Sequence, residues 1–287
     1  MSAVTGMRRR TVLALGAGLV PGVASLVGCG RRPSADGPAP EGARRVRYGE
    51  DPSQFADLHL PAGTPRGVVV VVHGGFWSAG YDLSLGTPLA QALAAQGWVA
   101  WNLEYRRVGR GGGGGGGVPT TLDDVAAGID ALADVDPGLD LSTVLGLGHS
   151  AGGHLAVWAA GRDRSSRWAP ARVPLTGVVS QAGVLDLRAG AAAGLGGGAV
   201  QSFTGTSQPG ADVDPAQQLP LDVPVRCVHS RGDGNVPFEQ SASYVAAARS
   251  AGGDAELVEV AGDHFTVIDP TSAAWTTQLE LLDALAG

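Results

Sequence analysis

A serine between glycines, a histidine in a late loop and an aspartate in the loop before it are the residues here whose types and order could break an acyl bond. A serine hydroxyl is a weak nucleophile until a base lies within hydrogen-bond reach and a third group holds that base in one tautomer. The strongest local signal is residues 144–160, VLGLGHSAGGHLAVWAA. Apolar, strand-prone residues run into Gly148-His149-Ser150-Ala151-Gly152, and an alanine-rich segment follows, so the order is strand, tight turn, helix. A serine at such a turn sits in a strained backbone conformation that lifts its hydroxyl from the sheet, and the flanking glycines avoid collisions with strand and helix. The helix also aims its first amides at that point, so the Ala151 N–H is placed to donate to a developing oxyanion. A G-x-S-x-G pattern is common by chance in a chain with 46 glycines, and the flanking strand and helix give it weight.

Six histidines could supply the base. His59 lies in an early strand, His73 and His229 end buried strands, His149 and His154 flank Ser150, and His264 sits in a loop after the last expected strand. Triads on open α/β sheets run serine, acid, histidine along the chain. His264 is the downstream histidine that leaves room for an acid on a strand-end loop of its own. That acid is best placed at Asp233, in HSRGDGNVP after the strand ending at Val228. Asp263 adjoins His264, where neighbouring side chains diverge, and Asp186 and Glu239 are further alternatives. His73, His229 and His154 read as structural, satisfied by hydrogen bonds at strand ends and on the helix. His149 and His154 lack metal-ligand spacing and no cysteine cluster accompanies them, so neither metal nor cofactor is expected.

Positioning these groups requires a sheet. GVVVVVHGG at residues 67–75 has five valines without alternation, the pattern of a strand covered on both faces in a parallel sheet. Strands are expected at 46–48, 56–60, 98–105, 175–180, 223–229 and 255–260, the first two as exposed edge strands, and helices at 83–96, 122–132, 238–251 and 275–286. The alternation predicts an α/β fold, a doubly wound, mostly parallel sheet with a short cap segment, over residues 45–287. Ligands in such sheets bind at the carboxyl ends of the strands. Seven consecutive glycines at 111–117 read as a tolerated loop expansion, since extra loop length adds little closure entropy. The cap, residues 188–222, is rich in Gly, Ala and Gln, with Leu195, Val200 and Phe203 as its few large apolar residues before Leu219. So little apolar surface predicts small acyl groups. Phe76 and Trp77 either flank a flat pocket or pack in the core.

Together, His73-Gly74-Gly75-Phe76-Trp77, Gly148-His149-Ser150-Ala151-Gly152-Gly153, Gly232-Asp233 followed by Val236-Pro237, and Gly262-Asp263-His264-Phe265 resemble the α/β-hydrolase esterases, in particular their arylformamidase-like and hormone-sensitive-lipase-like branch. The resemblance implies Ser150 as nucleophile, His264 as base, Asp233 as orienting acid, and amides of Gly74, Gly75 or Phe76 with Ala151 as oxyanion hole. Phe76 stands where a third glycine is usual in part of that group, which favours the formamidase-like and feruloyl-esterase-like side. Ser230 stands where relatives often show glycine. The implied activity is cleavage of small carboxylic esters through an acyl-enzyme. An arylformamidase-like amidase, a dipeptidyl-peptidase-like protease and a non-catalytic lipid-anchored binding module are the alternatives.

The N-terminus carries a different message. Arg8-Arg9-Arg10 precedes an apolar run ending at Leu26-Val27-Gly28-Cys29, so residues 1–28 read as a twin-arginine-like export signal with a lipobox, Cys29 as a lipidated cysteine, and residues 29–44 as a flexible tether. The expected location is the outer face of a bacterial cytoplasmic membrane, with secretion as the alternative. Without residues 1–28 the chain has 17 Arg, no Lys and 27 acidic residues, a formal charge of −10 that argues against nucleic acid as partner. Cys227, in the apolar run PVRCV, reads as a buried thiol with no disulfide to Cys29.

Overall fold

Five consecutive valines leave a strand no polar face, and β3 (Val68–Val72) is buried along its whole length inside an eight-stranded sheet. The computed structural model describes Met1, residues 33–136 and residues 138–287. The other strands are β1 (Ala43–Arg47), β2 (Phe55–His59), β4 (Val99–Leu103), β5 (Val144–His149), β6 (Gly177–Gln181), β7 (Val225–His229) and β8 (Ala255–Glu259). Their order is β1-β2-β4-β3-β5-β6-β7-β8. β1 with β2 and β2 with β4 pair antiparallel, and every pair from β4 to β8 is parallel.

Helices cover both faces. They are α1 (Thr87–Ala95), α2 (Thr120–Asp130), α3 (Leu132–Val135), α4 (Ala151–Ala160), α5 (Leu187–Ala192), α6 (Leu195–Thr204), α7 (Glu239–Ser250) and α8 (Ala273–Ala286). The valines of β3 divide between them by the period of two of a strand. Val68, Val70 and Val72 join the core that contains α2, α4, α7 and the cap residues Val200 and Phe203, whereas Val69 and Val71 join the core under α1 and α8. Each buried valine contributes about 1.5–3 kcal/mol relative to an exposed one. The doubly wound sheet is therefore the arrangement that leaves neither face of β3 wet.

Several boundaries differ from expectation. β2 is no edge strand: it lies between β1 and β4 and all five residues are buried. The helix expected at 83–96 is a short 3-10 turn, capped by Asp82, followed by α1. Gly86 separates the two because a side chain there would strike Val71 and Asn102. α5 and α6 were not foreseen, since their Gly- and Ala-rich sequence has little apolar periodicity. α6 passes through three left-handed residues, Gly196, Gly197 and Gly198, before it becomes regular.

Packed chain begins by Ala35, earlier than residue 45. The described part of the expected tether is packed chain: Ala35 is buried with Phe55 and Leu83, its N–H donates to the Pro52 carbonyl, and Arg45 bonds the Ser34 carbonyl. The export signal and Cys29 fall on residues outside those described. Among the described residues no helix is long and apolar enough to cross a membrane.

Candidate active site

Ser150 sits between β5 and α4 with φ 56° and ψ −117°, a conformation that costs an L-residue on the order of 1–3 kcal/mol. Packing enforces it. A Cβ at Gly148 would overlap the Gly152 carbonyl, and one at Gly152 would overlap the Val72 carbonyl of β3, so only glycines let strand and helix approach this closely. The Ser150 N–H donates to the Gln181 carbonyl at 2.8 Å, and its carbonyl accepts from His154 and Val184. Although Ser150 is the N-cap of α4, its hydroxyl makes no cap bond and has no hydrogen-bond partner among the described residues. The residue is 2% exposed at the floor of the site.

Asp233 and His264 lie on the loops after β7 and β8, which are adjacent and parallel, so their carboxyl ends bring the two together. His264 Nδ1 is 2.6 Å from Asp233 Oδ2. The other oxygen of Asp233 accepts from the N–H groups of Asn235 and Val236, both at 2.8 Å, so the loop itself orients the carboxylate. Burial opposes ionisation of Asp233, but hydrogen bonds from His229, His264, Val236 and Asn235 outweigh it and hold the carboxyl far below the usual range. The alternatives lie in other settings. Asp186 caps α5 through the Ala189 N–H, Asp263 accepts from the Phe265 and Thr266 amides of its own turn, and Glu239 lies in the first turn of α7.

Two further histidines touch this pair, a role sequence reasoning missed. His229 Nε2 is 3.2 Å from Asp233 Oδ2, and its Nδ1 is 2.8 Å from Ser241 Oγ. His149 Nε2 donates to the His264 carbonyl at 2.9 Å, and the two rings are 4.5 Å apart between centroids. Burial, with the nearby His264, pushes the His149 pKa down to about 3, so it stays a neutral donor that anchors the His264 backbone. The signal was the position of His149 next to Ser150, at the same carboxyl edge of the sheet as the last loop.

The loop after β3 closes the site on its other side. Gly75, Phe76 and Trp77 all have positive φ, at 107°, 54° and 53°. A Cβ on Gly74 would lie 3.1 Å from Ser150 Cβ, so the loop backbone rests directly on Ser150. Among the described residues the amides of Gly74, Gly75 and Phe76 make no backbone hydrogen bond outside the strand ladders, and Ala151 opens α4. Both neighbours of the His73 ring are acceptors: the Gly74 carbonyl is 2.8 Å from Nδ1 and a Glu104 oxygen 3.2 Å from Nε2. Two such contacts would suit a doubly protonated ring, but burial and the Arg107 guanidinium push its pKa down to about 3. We assign the neutral ring with its proton on Nδ1, because that contact is shorter and Glu104 already pairs with Arg107 and accepts from the Leu83 and Tyr105 amides.

The aromatic pair separates. Trp77 is fully buried, stacked on Phe203, with its indole N–H donating to His154 Nδ1 at 3.2 Å. Phe76 lines a groove of about 420 Å³ with Ser78 and Tyr81 from its own loop and Gly196, Ala199 and Ser202 from the cap. Cys227 lies in β7 as a free, buried thiol whose pKa burial raises to about 12, an inert core residue. Among the described residues no group of acidic, histidine or cysteine side chains could hold a metal ion.

A serine turn on the central strand, an aspartate–histidine pair on the last two strand-end loops and a glycine loop over the serine are the arrangement of an α/β-hydrolase. Comparison with known proteins gives the family: residues 118–280, more than half of the chain, match the prolyl oligopeptidase family, and the chain belongs to it. Esterase LipC of Mycobacterium tuberculosis is 37% identical over 122 residues, which is 40% of this chain and 29% of that protein. Isoprenylcysteine alpha-carbonyl methylesterase of Arabidopsis thaliana is 31% identical over 120 residues, 40% of this chain and 27% of the relative. The aligned region thus spans less than a third of either relative. Among solved structures, esterase B from Lactobacillus rhamnosis superposes with a TM-score of 0.73 at 24% identity, covering 88% of this chain and 89% of that one. Native esterase 2 of Thermogutta terrifontis gives 0.69 at 24%, covering 86% and 92%. These likenesses show the fold.

Proposed function

We propose that the protein hydrolyses small carboxylic esters through an acyl-enzyme on Ser150. The observation that carries this reading is the 2.6 Å contact of Asp233 with His264, whose carbonyl is held by His149, the residue before a serine whose hydroxyl is committed to nothing else. His264 takes the Ser150 proton as the oxygen attacks the ester carbonyl carbon, and Asp233 holds the ring with its proton on Nδ1. The carbonyl π electrons move onto oxygen, which amides of Gly75, Phe76 and Ala151 stabilise. His264 then protonates the departing alcohol, and water, deprotonated by the same ring, releases the acid. The partial likeness to two esterases supports an ester over an amide.

Small acyl groups are favoured because Leu195, Val200 and Phe203 of the cap are buried in the core and present no apolar wall to a long chain. The test is kcat/KM across p-nitrophenyl esters from acetate to palmitate, with an N-formyl anilide and a prolyl anilide in the same panel. A maximum at acetate to butyrate supports the reading. A maximum at twelve carbons or more overturns the small-acyl part, faster turnover of either anilide shifts the enzyme to the amidase or peptidase side, and no turnover with no fluorophosphonate labelling leaves a binding module.

Export and lipid attachment at Cys29 complete the proposal, supported by the arginines, apolar run and lipobox of the sequence. Cys29→Ser is expected to move the protein out of the membrane fraction or leave it unprocessed. Unchanged fractionation with no lipid on the mature wild-type N-terminus removes the anchor.

A further inference from the structure

The seven glycines at 111–117 do not form an idle loop. The Arg107 N–H donates to the Gly113 carbonyl and the Arg107 carbonyl accepts from the Gly116 N–H, both at 2.7 Å. Gly114 and Gly115 bond back to Gly111 and Gly109. A Cβ at Gly114 would fall on the Gly109 carbonyl and one at Gly116 on the Arg106 carbonyl and the Arg107 nitrogen, so these two positions meet backbone and exclude any side chain, while one at Gly113 would displace the Arg107 guanidinium. The Arg107 side chain enclosed in this way is buried and paired with Glu104.

The segment held by the glycines in turn holds the loop after β3. Tyr105 stacks on the His73 ring at 4.4 Å, and its hydroxyl donates to the His73 carbonyl at 2.7 Å. The Val108 N–H donates to the Trp77 carbonyl and its carbonyl accepts from Ala79. Between these clamps the Gly74 carbonyl is fixed by His73 Nδ1. A trans peptide sets its N–H opposite its C=O, so fixing that carbonyl also fixes the direction of the Gly75 N–H.

We propose that the glycine run braces the oxyanion loop: by clamping residues 104–108 it sets the Gly74–Gly75 peptide against Ser150, with Tyr105 as a positioning residue. The inference rests on the serine-hydrolase reading above. An amide that must already point at the developing charge gains most from such rigidity, and loss of one oxyanion donor costs on the order of 10²–10³-fold in kcat.

The experiment measures kcat, KM and melting temperature for the full chain and for Gly113→Ala, Gly116→Ala, Gly112→Ala and Tyr105→Phe on p-nitrophenyl butyrate. A methyl at Gly112 meets nothing within 4 Å, so that variant is the control within the run. Gly113→Ala and Gly116→Ala are expected to lose about 10–100-fold in kcat while KM stays within about threefold, and Gly112→Ala to match the wild type. Tyr105→Phe keeps the stacked ring and loses only the hydroxyl, so it decides the matter should the glycine variants fail to fold; about a tenfold fall in kcat at unchanged KM is expected. Wild-type kcat in Tyr105→Phe, or glycine variants that lose stability yet keep kcat, overturns the brace. An inactive, unlabelled wild type instead sinks the hydrolase reading.

Discussion

Around Ser150 a methyl group added to Gly148 or Gly152 would overlap backbone carbonyls, whereas one added to Gly194 or Gly197 in the cap would meet nothing within 4 Å. The floor of the site uses glycine for close approach. The roof uses it for left-handed turns, with φ of 64° at Gly194 and 67° at Gly197 and open space around both. The same residue type therefore fixes the backbone around Ser150 and leaves room at Gly194 and Gly197 of the cap.

The sharpest probe of the floor is the chemistry itself. Ser150→Ala and His264→Ala are each expected to lower kcat by on the order of 10⁵–10⁶-fold with a preserved circular dichroism spectrum. Asp233→Asn should cost about 10⁴-fold by leaving the histidine in the wrong tautomer. Asp186→Asn should keep kcat; the reverse outcome for the two aspartates would reassign the acid.

The glycine contrast is read in stability. Gly152→Ala drives a methyl into the Val72 and His73 carbonyls and is expected to lose about 3 kcal/mol or more in urea unfolding, or to prevent folding. At the small end, Gly197→Ala should cost about 1 kcal/mol, the penalty of a left-handed L-residue. Equal losses at the two positions would erase the distinction between floor and roof.

Between these extremes lies His154, which joins the two regions. Its Nε2 donates to the Val213 carbonyl above and its Nδ1 accepts from Trp77. Burial pushes its pKa from 6.5 down to about 4. From about pH 6.5 downward the unfolded chain binds a proton that the folded chain refuses, so stability falls with falling pH until about pH 4. The loss assigned to this residue is about 3 kcal/mol over that window. Thermal melts from pH 7 to pH 4 check it, and His154→Gln should flatten the fall; an equally steep curve would free His154 of that part.

Most of the floor was legible because its constraints are local. The glycines beside Ser150 and the valine run follow from rules that act within a few residues, and the chain order of Ser150, Asp233 and His264 was read from the topology of an open α/β sheet. The contacts of His149 and His229 were not legible, since each depends on which strand-end loop its ring meets across the sheet. β2 read as an edge because its alternation, FADLH, is polar at Asp57 and His59; pairing of Asp57 with Arg45 across the β1–β2 ladder satisfies the charge and permits burial. The glycine run read as slack because composition carries no record of the arginine it surrounds.

The ends of the sheet have a consequence for life at high protein concentration. A terminal strand offers unpaired amides and carbonyls along one side, the usual seed of strand-by-strand aggregation. β1 meets this with Arg44 and Arg47, and β8 with Glu256 and Glu259. An incoming strand would have to desolvate charge at either border, so the eight-stranded sheet is closed to further growth although it never curls into a barrel.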